Sequence, residues 1–242
     1  MAKSSAAGLL TSVDSMFTTQ EERDNAQRSY VTDLPTAEIS DFPNHPFKVR
    51  MDESMTEMVE SVKERGVLSP VLVRPMPDGS YQMVSGHRRK RAAELAELPT
   101  VPCIVRELTD DEAIIIMVDS NLQREQVLPS EKAFAYKMKL DAMNRQAGRP
   151  SKNNLTPVVS EKNPRTSEQL AAQVGESREQ IRRYIRLTNL TPELLDMVDN
   201  SVLKEKGQLQ MALRPAVELS YLSKDEQNAL LEVMESEDCT PS

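Results

Sequence analysis

Apolar residues recur along the chain at two different spacings, and the change between them predicts alternating helices and strands. In residues 52–66, "DESMTEMVESVKERG", they follow the 0, 3, 4, 7 spacing of one helical face, and Gly66 supplies a C-terminal stop. Two short runs, Val71–Arg74 and Tyr81–Ser85, have the length and composition of strands. The turn sequence "MPDGS" lies between them, so we expect a β-hairpin.

The same alternation continues to about residue 145. A helix is predicted from about Arg88 to Leu98, and a strand in "VPCIVREL" follows it. The sequence "TDDE", Thr109–Glu112, is a capping box that predicts the start of the helix carrying "AIIIMVDSNLQ". A further helix is expected from about Ser130 to Arg145. This order of elements predicts an α+β or α/β domain over residues 34–126.

The composition changes after this domain. Residues 146–165 are rich in proline, glycine and polar residues, which predicts a linker. We find no strand candidate beyond it, and helix-start signals such as Thr191 followed by Pro192 predict that residues 127–236 are helical apart from this linker. Residues 1–33 and 237–242 lack sustained periodicity and are expected to be tails, the first of them disordered.

Charge and cysteine content narrow the class of protein. The formal net charge of −8 argues against a general nucleic-acid coat protein but leaves room for a local basic face. Cys103 and Cys239 lie far apart, so neither a disulfide framework nor a cysteine-based zinc site is expected, and a cytoplasmic location fits. His45 and His87 are the only histidines and cannot build a histidine-rich metal centre. No apolar run approaches the roughly 18 residues of a membrane span.

A strongly basic segment, "GHRRKR", opens the helix predicted after Tyr81–Ser85. Gly86 lets a ligand approach the backbone closely, and the first N–H groups of a helix have no intrahelical partner. The helix dipole is positive at that end, so both features favour a phosphate, to which Arg88 and Arg89 add forked donors. Four cations at a helix N-terminus cost stability unless an anion offsets them. A solvated basic face is the alternative.

A second polar cluster, "DSNLQRE", ends a later helix at Asp119–Glu125. Asn121 can coordinate Mg²⁺ or bind a ribose hydroxyl. Its neighbours Gln123, Arg124 and Glu125 add further donors and acceptors. An ordinary polar helix end with capping contacts is the alternative.

The segment Thr166–Leu187 has the pattern of a helix-turn-helix over residues 167–187. Small Ala171 permits close packing of two helices, and Gly175 permits the sharp turn between them. Residues 151–190 carry seven cations against four anions in a chain that is acidic overall, which suits DNA better than a plain helical hairpin. The expected core residues are Leu170, Val174, Ile181 and Ile185. The expected DNA-binding residues of the second helix are Ser177, Arg178, Gln180, Arg182, Arg183 and Arg186.

In this order the segments resemble the ParB family of partition proteins. Residues 45–74, "HPFKVRMDESMTEMVESVKERGVLSPVLVR", are similar to the family's first box with its "SIKExGxxxPxxVR" segment. "SGHRRKRAAELA" is similar to the second box, usually "GERRxRAA", and "SNLQRE" to the third, usually "ENLQRE". The helix-turn-helix follows where the family has it, so the resemblance covers about Leu34 to Asp199.

The resemblance implies a ParB/sulfiredoxin-like α+β domain followed by an all-α helix-turn-helix domain. ParB-type N-terminal domains bind CTP with Mg²⁺, and bound nucleotide closes the dimer into a sliding clamp on DNA after a palindromic, centromere-like site is recognised. It therefore implies a homodimer that binds double-stranded DNA in plasmid or chromosome partition, with a ParA-type ATPase as a partner. The implied nucleotide-binding residues are Ser85, Gly86, His87, Arg88, Arg89, Ser120, Asn121 and Arg124, with Asn121 also as Mg²⁺ ligand.

Some residues depart from the family pattern. His87 stands in place of the usual glutamate of the second box, and Ser120 in place of the acidic residue before Asn121. These changes weaken the expectation of hydrolysis more than that of binding, so at most a slow CTPase is expected. Residues 1–20 hold only Lys3, where the family often has a basic segment that stimulates ParA. The separate C-terminal dimerisation domain of many ParB proteins is expected to be absent or abbreviated.

Two other functions stay open. A ParB-like nuclease would need clustered carboxylates for a metal, and "TDDE" supplies three, although acids are also expected at a helix start. A helix-turn-helix transcriptional regulator would use the N-terminal half without binding a nucleotide. Sulfiredoxin chemistry is not expected, because Gly86 occupies the place of the required cysteine.

Overall fold

The first half of the protein is built on a mixed sheet. The computed structural model describes residues 30–124, 126–146, 164–204, 208–237, 239 and 240. Within them, five strands form the sheet: β1 (Val31–Pro35), β2 (Ile39–Ser40), β3 (Val71–Pro75), β4 (Tyr81–Ser85) and β5 (Thr100–Val105). Their spatial order is β1-β5-β3-β4-β2. The predicted hairpin of β3 and β4 is confirmed, while β5 pairs in parallel with β3 and antiparallel with β1.

Helices surround this sheet and make up the second half. The described residues hold nine α-helices: α1 (Glu53–Arg65), α2 (His87–Leu95), α3 (Asp110–Leu122), α4 (Pro129–Gln146), α5 (Pro164–Val174), α6 (Arg178–Arg186), α7 (Pro192–Leu203), α8 (Leu213–Leu219) and α9 (Lys224–Glu237). The predicted α+β domain followed by a helical domain is confirmed. None of these helices has both the length and the apolar character needed to cross a membrane.

Short polar signals start the helices where the sequence predicts. The Asp52 carboxylate accepts a hydrogen bond of 2.9 Å from a backbone N–H of the first turn of α1. Thr109 and Glu112 form the predicted capping box at the start of α3. The Ser177 hydroxyl accepts a hydrogen bond of 3.1 Å from a first-turn N–H of α6. Each cap satisfies N–H groups that the helix itself leaves unpaired.

Two apolar clusters cover the opposite faces of the sheet. One contains Met83 of β4 together with Met55 of α1 and residues of α2. The other contains the next residue, Val84, together with Phe47 and Met117 of α3. Because successive side chains of a strand point to opposite faces, this alternation places α1 and α2 on one side of the sheet and α3 on the other.

Helix α4 supplies side chains to three separate apolar clusters. Ala133 packs with α7 and α8, and Ala135 packs with the sheet and α3. Tyr136 packs with Leu170 and Ile181 of the helix-turn-helix. All three α4 side chains are almost completely buried. The helix is therefore common to both halves, although the sequence predicted a boundary between residues 126 and 127.

The structure differs from the predicted tails and linker at their ends. Residues 31–33, predicted to belong to a disordered tail, lie in β1, and the linker predicted for 146–165 overlaps the end of α4 and the start of α5. Glu237, predicted as tail, is the last residue of α9, and the Thr240 hydroxyl donates a 2.8 Å hydrogen bond to the Gln210 carbonyl. Residues 1–29 and 147–163 lie outside the described residues, so those predictions stay predictions.

Candidate functional site

The turn between β4 and α2 requires a glycine. Gly86 has φ 107° and ψ 21°, in the region that side chains with a Cβ rarely adopt. A Cβ added there would lie 2.7 Å from Val71 Cγ1 and 3.0 Å from Val71 Cβ. Since Val71 belongs to β3 and is fully buried, it cannot move aside. The backbone conformation and the close approach to β3 thus both depend on Gly86.

The N-terminus of α2 has no side-chain cap. The residue in the capping position is Gly86 itself, and no carboxylate lies in the first turn. The first N–H groups of the helix therefore point outward without the usual side-chain acceptor, at the positive end of the helix dipole. This geometry suits a phosphate or another anion, as the sequence predicted.

The two arginines that follow Gly86 are already engaged by the fold. Arg88 Nη2 lies 3.2 Å from Asp52 Oδ1 and 2.5 Å from Ser54 Oγ, which ties it to the start of α1. Arg89 Nη1 donates to the carbonyls of Ser69 and Pro70 at 2.8 and 2.7 Å, in the segment before β3. The sequence predicted both as donors for an anion. The structure places them at the site but gives each a protein partner.

His87 lies inside the protein against a second histidine. Its ring is 3.8 Å from that of His45 between centroids, with the planes tilted by 40°. The His45 Nδ1 atom is 2.8 Å from the Phe47 carbonyl oxygen, but His45 Nε2 and both ring nitrogens of His87 are buried without a partner. Burial, then the nearby His45, lower the pKa of His87 to about 3. Burial also lowers the pKa of His45. Sequence reasoning missed His45.

Lys90 is a further residue of this site that the sequence did not single out. Its ammonium lies 2.8 Å from Asp41 Oδ1 and 3.1 Å from Glu94 Oε1. Burial alone would raise the pKa of Asp41, but the hydrogen bond and charge of Lys90 lower it below its usual value. The same face of α2 borders a cavity of about 350 Å³. The lining residues are Asp41, His45, Phe47, Val49, His87, Lys90, Arg91 and Glu94.

The second predicted cluster, at the end of α3, lies close to the first. Asn121 is almost completely buried, and its amide nitrogen donates a 2.8 Å hydrogen bond to the Met117 carbonyl. The Ser120 hydroxyl also donates to Met117, at 3.0 Å. Burial lowers the pKa of Arg124, Glu131 opposes this, and the charge of Arg88 lowers it further. Arg124 is therefore near enough for the charge of Arg88 to act on it, so the two clusters share positive charge.

To Mg²⁺, the Asn121 side chain would offer a neutral amide oxygen rather than a charged carboxylate oxygen. Its nitrogen is turned to the helix backbone, so the amide oxygen is the atom left for a ligand. Mg²⁺ keeps several waters and binds phosphate oxygens, so one protein oxygen beside a triphosphate fits such an ion. Among the residues that the structure describes, no three His, Cys, Asp or Glu side chains are grouped as a metal site.

The carboxylates considered for a nuclease have structural partners. Asp110 pairs with buried Arg74 at 2.6 Å, and Asp111 pairs with Arg145 at 2.6 Å. Glu112 belongs to the capping box. The acids of "TDDE" thus stabilise α3 and its neighbours.

The helix-turn-helix has the predicted geometry. Helix α5 ends at Val174, Gly175 turns with φ 69°, and α6 starts after the Ser177 cap. Ile181 and Ile185 are buried against Tyr136 of α4, as predicted for the small core. The outward face of α6 is therefore fixed by packing on its inner face.

Three arginines on α6 are about half-exposed and lie near glutamates. Arg178 Nη1 lies 3.0 Å from Glu168 Oε1. Arg182 and Arg183 lie 3.9 and 3.8 Å from the Glu179 carboxylate. Ser177 and Gln180, also predicted for DNA, form the N-cap hydrogen bond of this helix.

Arg186 differs from the other arginines of α6. Its guanidinium donates a 2.8 Å hydrogen bond to the Ser220 carbonyl and stacks on the Tyr221 ring, 4.0 Å from the centroid. It therefore joins α6 to the segment between α8 and α9. No local sequence signal points to this contact, because the partners lie 34 residues apart.

A buried lysine connects the two sites. Lys139 of α4 is 1% exposed, and its Nζ lies 2.5 Å from Asp119 Oδ1 and 2.7 Å from Gln173 Oε1. Asp119 precedes Ser120 and Asn121 in α3, and Gln173 lies in α5 of the helix-turn-helix. On the same face of α4, Lys132 pairs with Glu176 at 2.7 Å. Sequence reasoning missed this junction, although the three- and four-residue spacings from Lys132 through Tyr136 to Lys139 mark one helical face.

Comparisons with known proteins match both halves of the chain. A family model of the ParB N-terminal domain matches residues 20–122, and one of the ParB HTH domain matches residues 158–240. The chromosome-partitioning protein Spo0J of Thermus thermophilus is 37% identical over 169 residues, which cover 70% of this chain and 55% of the relative. The chromosome-partitioning protein ParB of Caulobacter vibrioides is 37% identical over 154 residues, covering 63% of this chain and 44% of that protein.

The chain thus spans about half the length of these curated relatives. A solved structure of the C2221 form of a Pnob8-like ParB-N domain matches 88% of this chain and 86% of its own, with a TM-score of 0.51. Its sequence identity is 15%, so it shows the fold alone.

Proposed function

Because this chain belongs to the ParB family, we propose that it binds a palindromic, centromere-like DNA site and acts in plasmid or chromosome partition. The observation that carries this proposal is the helix-turn-helix, whose recognition helix α6 is held by Ile181 and Ile185 and presents half-exposed arginines outward. A recognition helix of this kind lies in the major groove. A palindromic site mirrors the two-fold symmetry of a dimer, so the proposal includes a homodimer.

A nucleoside triphosphate with Mg²⁺ is the second ligand that we propose. The uncapped start of α2 beside Gly86 supplies N–H donors for phosphate, and Arg88, Arg89 and Arg124 supply positive charge. Asn121 would offer its amide oxygen to Mg²⁺, which neutralises phosphate charge when bound. The preference for CTP rests on family membership alone.

Binding of the nucleotide has a structural consequence at the two arginines. A triphosphate that draws Arg88 or Arg89 toward itself would compete with their present partners at the start of α1 and before β3. The contacts of both segments with α2 would then change. This exchange supports the proposal that the nucleotide gates clamp closure, because the ligand interacts differently with the two states.

Hydrolysis of the nucleotide, a ParA-type ATPase partner and association with a nucleoid or plasmid in the cytoplasm belong to the same proposal. They rest on the family, and Ser120 in place of an acidic residue argues that any hydrolysis is slow.

Selection of bound duplexes from a randomised DNA library tests the DNA-binding function. We expect enrichment of a palindrome. With the selected duplex, Arg182→Ala should weaken binding and reduce the slope of log K against log salt by about one, since one phosphate contact is lost. Arg106→Ala removes one exposed cation from the sheet domain and serves as the matched control. Equal salt slopes for the two variants, or no enriched sequence, would contradict the proposal.

Titration calorimetry with CTP and Mg²⁺ tests whether the protein binds the nucleotide. Binding heat that is lost in Arg88→Ala is the expected result. DNA binding without any nucleotide binding would instead favour a helix-turn-helix transcriptional regulator.

A further inference from the structure

His45 and His87, at the candidate nucleotide site, have ring nitrogens without hydrogen-bond partners. Three ring nitrogens, His45 Nε2 and both nitrogens of His87, are buried and have no partner. His87 is only 7% exposed, and it is the first residue of α2, the helix whose initial N–H groups are uncapped. Both rings also line the 350 Å³ cavity beside α2. Buried polar groups are nearly always paired, so three such atoms at one place can form hydrogen bonds with a bound ligand.

The hydrogen bond of His45 determines which of its ring nitrogens carries the proton and which one has a free lone pair. The Phe47 carbonyl oxygen only accepts, so the proton of neutral His45 lies on Nδ1 and donates to it. His45 Nε2 then presents a lone pair. An oxyanion facing a lone pair is repelled, whereas the same oxyanion facing an N–H is attracted. A phosphate oxygen next to His45 Nε2 is therefore bound favourably only if the imidazole pair gains a proton.

Charged groups from every neighbouring element act on this pair. Asp41, between β2 and α1, favours the protonated form of both rings, and Glu131 of α4 favours it for His45. Lys90 of α2 opposes protonation of His87, and Arg124 after α3 opposes that of both rings. Burial is the largest influence and lowers the pKa of each histidine, so the pair is neutral near pH 7 without a ligand. An anion bound next to the rings adds to the groups that favour protonation.

We propose that His45 and His87 together take up one proton from solvent when the phosphates of a nucleoside triphosphate bind at the start of α2. This inference rests on the proposed nucleotide binding. One proton is expected rather than two, because the ring centroids are 3.8 Å apart and two adjacent imidazolium charges repel each other. The nucleotide then binds more tightly as the pH falls, by up to about tenfold per pH unit for a single proton.

Titration calorimetry in two buffers with different ionisation enthalpies measures the proton uptake directly. We expect CTP with Mg²⁺ to bind the full chain with net uptake approaching one proton at pH 7. The double variant His45→Gln/His87→Gln keeps polar side chains but cannot titrate in this range, so it should bind with little uptake beyond that of the nucleotide itself. The His87→Gln variant alone serves if the double variant is poorly folded.

Two further ligands identify which part of the nucleotide is responsible. Inorganic triphosphate should reproduce the proton uptake, and cytidine, which has no phosphate, should not. Binding of CTP with the same proton uptake in wild type and in the histidine variants would overturn the inference and leave the proposed function intact. Failure of CTP to bind at all would overturn both.

Discussion

Among the residues of the candidate site, Gly86 has the most restricted backbone conformation. Its φ of 107° and the 2.7 Å approach of Val71 Cγ1 both exclude a side chain, and the α2 N-terminus can face a ligand only because the chain turns here. The sequence predicted the glycine turn correctly, since a glycine between a strand and a basic helix is a local signal. Ligand binding at Gly86 stays a prediction.

The substitution Gly86→Ala should therefore destabilise the protein and impair the anion site. We expect a loss of more than about 2 kcal/mol in the free energy of unfolding, from the left-handed backbone and the overlap with Val71 together. Urea denaturation followed by circular dichroism measures it. Gly66→Ala is the matched control, because Gly66 also has a positive φ, 71°, but nothing within 4 Å of the added Cβ. Equal losses for the two variants would show that the contact with Val71 is unimportant.

Other residues of the site could not be predicted, because their partners are distant in sequence. Arg88 was predicted to donate hydrogen bonds to phosphate, but its contact with Asp52, 36 residues away, was not predicted. The Lys90–Asp41 pair spans 49 residues, and the His45–His87 contact spans 42. Residue type and spacing indicate what a side chain can bind, whereas the fold determines which partner it reaches.

At the scale of elements, Lys139 is the contact that fixes α3, α4 and α5 against one another. Its buried ammonium has two oxygen partners, one on the helix that carries Asn121 and one on the helix-turn-helix. Leaving such a buried charge without its partner strongly destabilises the folded state, whereas replacing the charged side chain by an apolar one destabilises it little.

This asymmetry predicts different effects for the two partners of the ion pair. Asp119→Ala leaves the Lys139 ammonium buried with only Gln173, and it should lower the free energy of unfolding by about 3 kcal/mol. Lys139→Met replaces the buried charge by an apolar chain of similar length, and it should cost less than about 1 kcal/mol. Lys137→Met, at an exposed position of α4, is the control for the loss of a lysine. Chemical denaturation of the three variants gives the ranking, and a greater loss in Lys139→Met would refute this account.

Helices and turns marked by residues close to them in sequence were predicted well, whereas elements defined by distant partners were missed. The caps at Thr109 and Ser177 and the glycine turn at Gly175 lie within a few residues of the helices that they define. Strand β1 has one buried residue, Leu34, among five, so its sequence shows no alternation. Its place in the sheet comes from pairing with β5, where Val31 lies opposite Ile104. Such a partner cannot be recognised from the strand itself.

For the whole molecule, the shared helix α4 determines how the two halves unfold. Ala133, Ala135 and Tyr136 belong to three clusters, which together include the sheet, the helix-turn-helix and the helices that follow it. The sequence predicted two domains in the right order, but it could not show that one helix packs into both. Different faces of α4 pack against different neighbours, and one face also carries Lys132 and Lys139, so its sequence shows no single apolar stripe.

A single cooperative transition is therefore expected when the protein is heated. Differential scanning calorimetry should give one peak whose van't Hoff and calorimetric enthalpies agree, because loss of either half removes packing from α4. Two separate peaks would mean that the halves are stable independently of this helix.

The position of α4 also bears on how this protein could be recombined with its relatives. The match to the ParB N-terminal domain ends at residue 122, and the match to the ParB HTH domain begins at residue 158. Helix α4, Pro129–Gln146, therefore lies between the two matches. A chimaera joined before Pro129 or after Gln146 would inherit a helix whose surface was selected against only one of its new neighbours. If α6 reads DNA as proposed, exchanging its outward residues for those of a relative should transfer that relative's specificity, whereas swapping the modules whole should not.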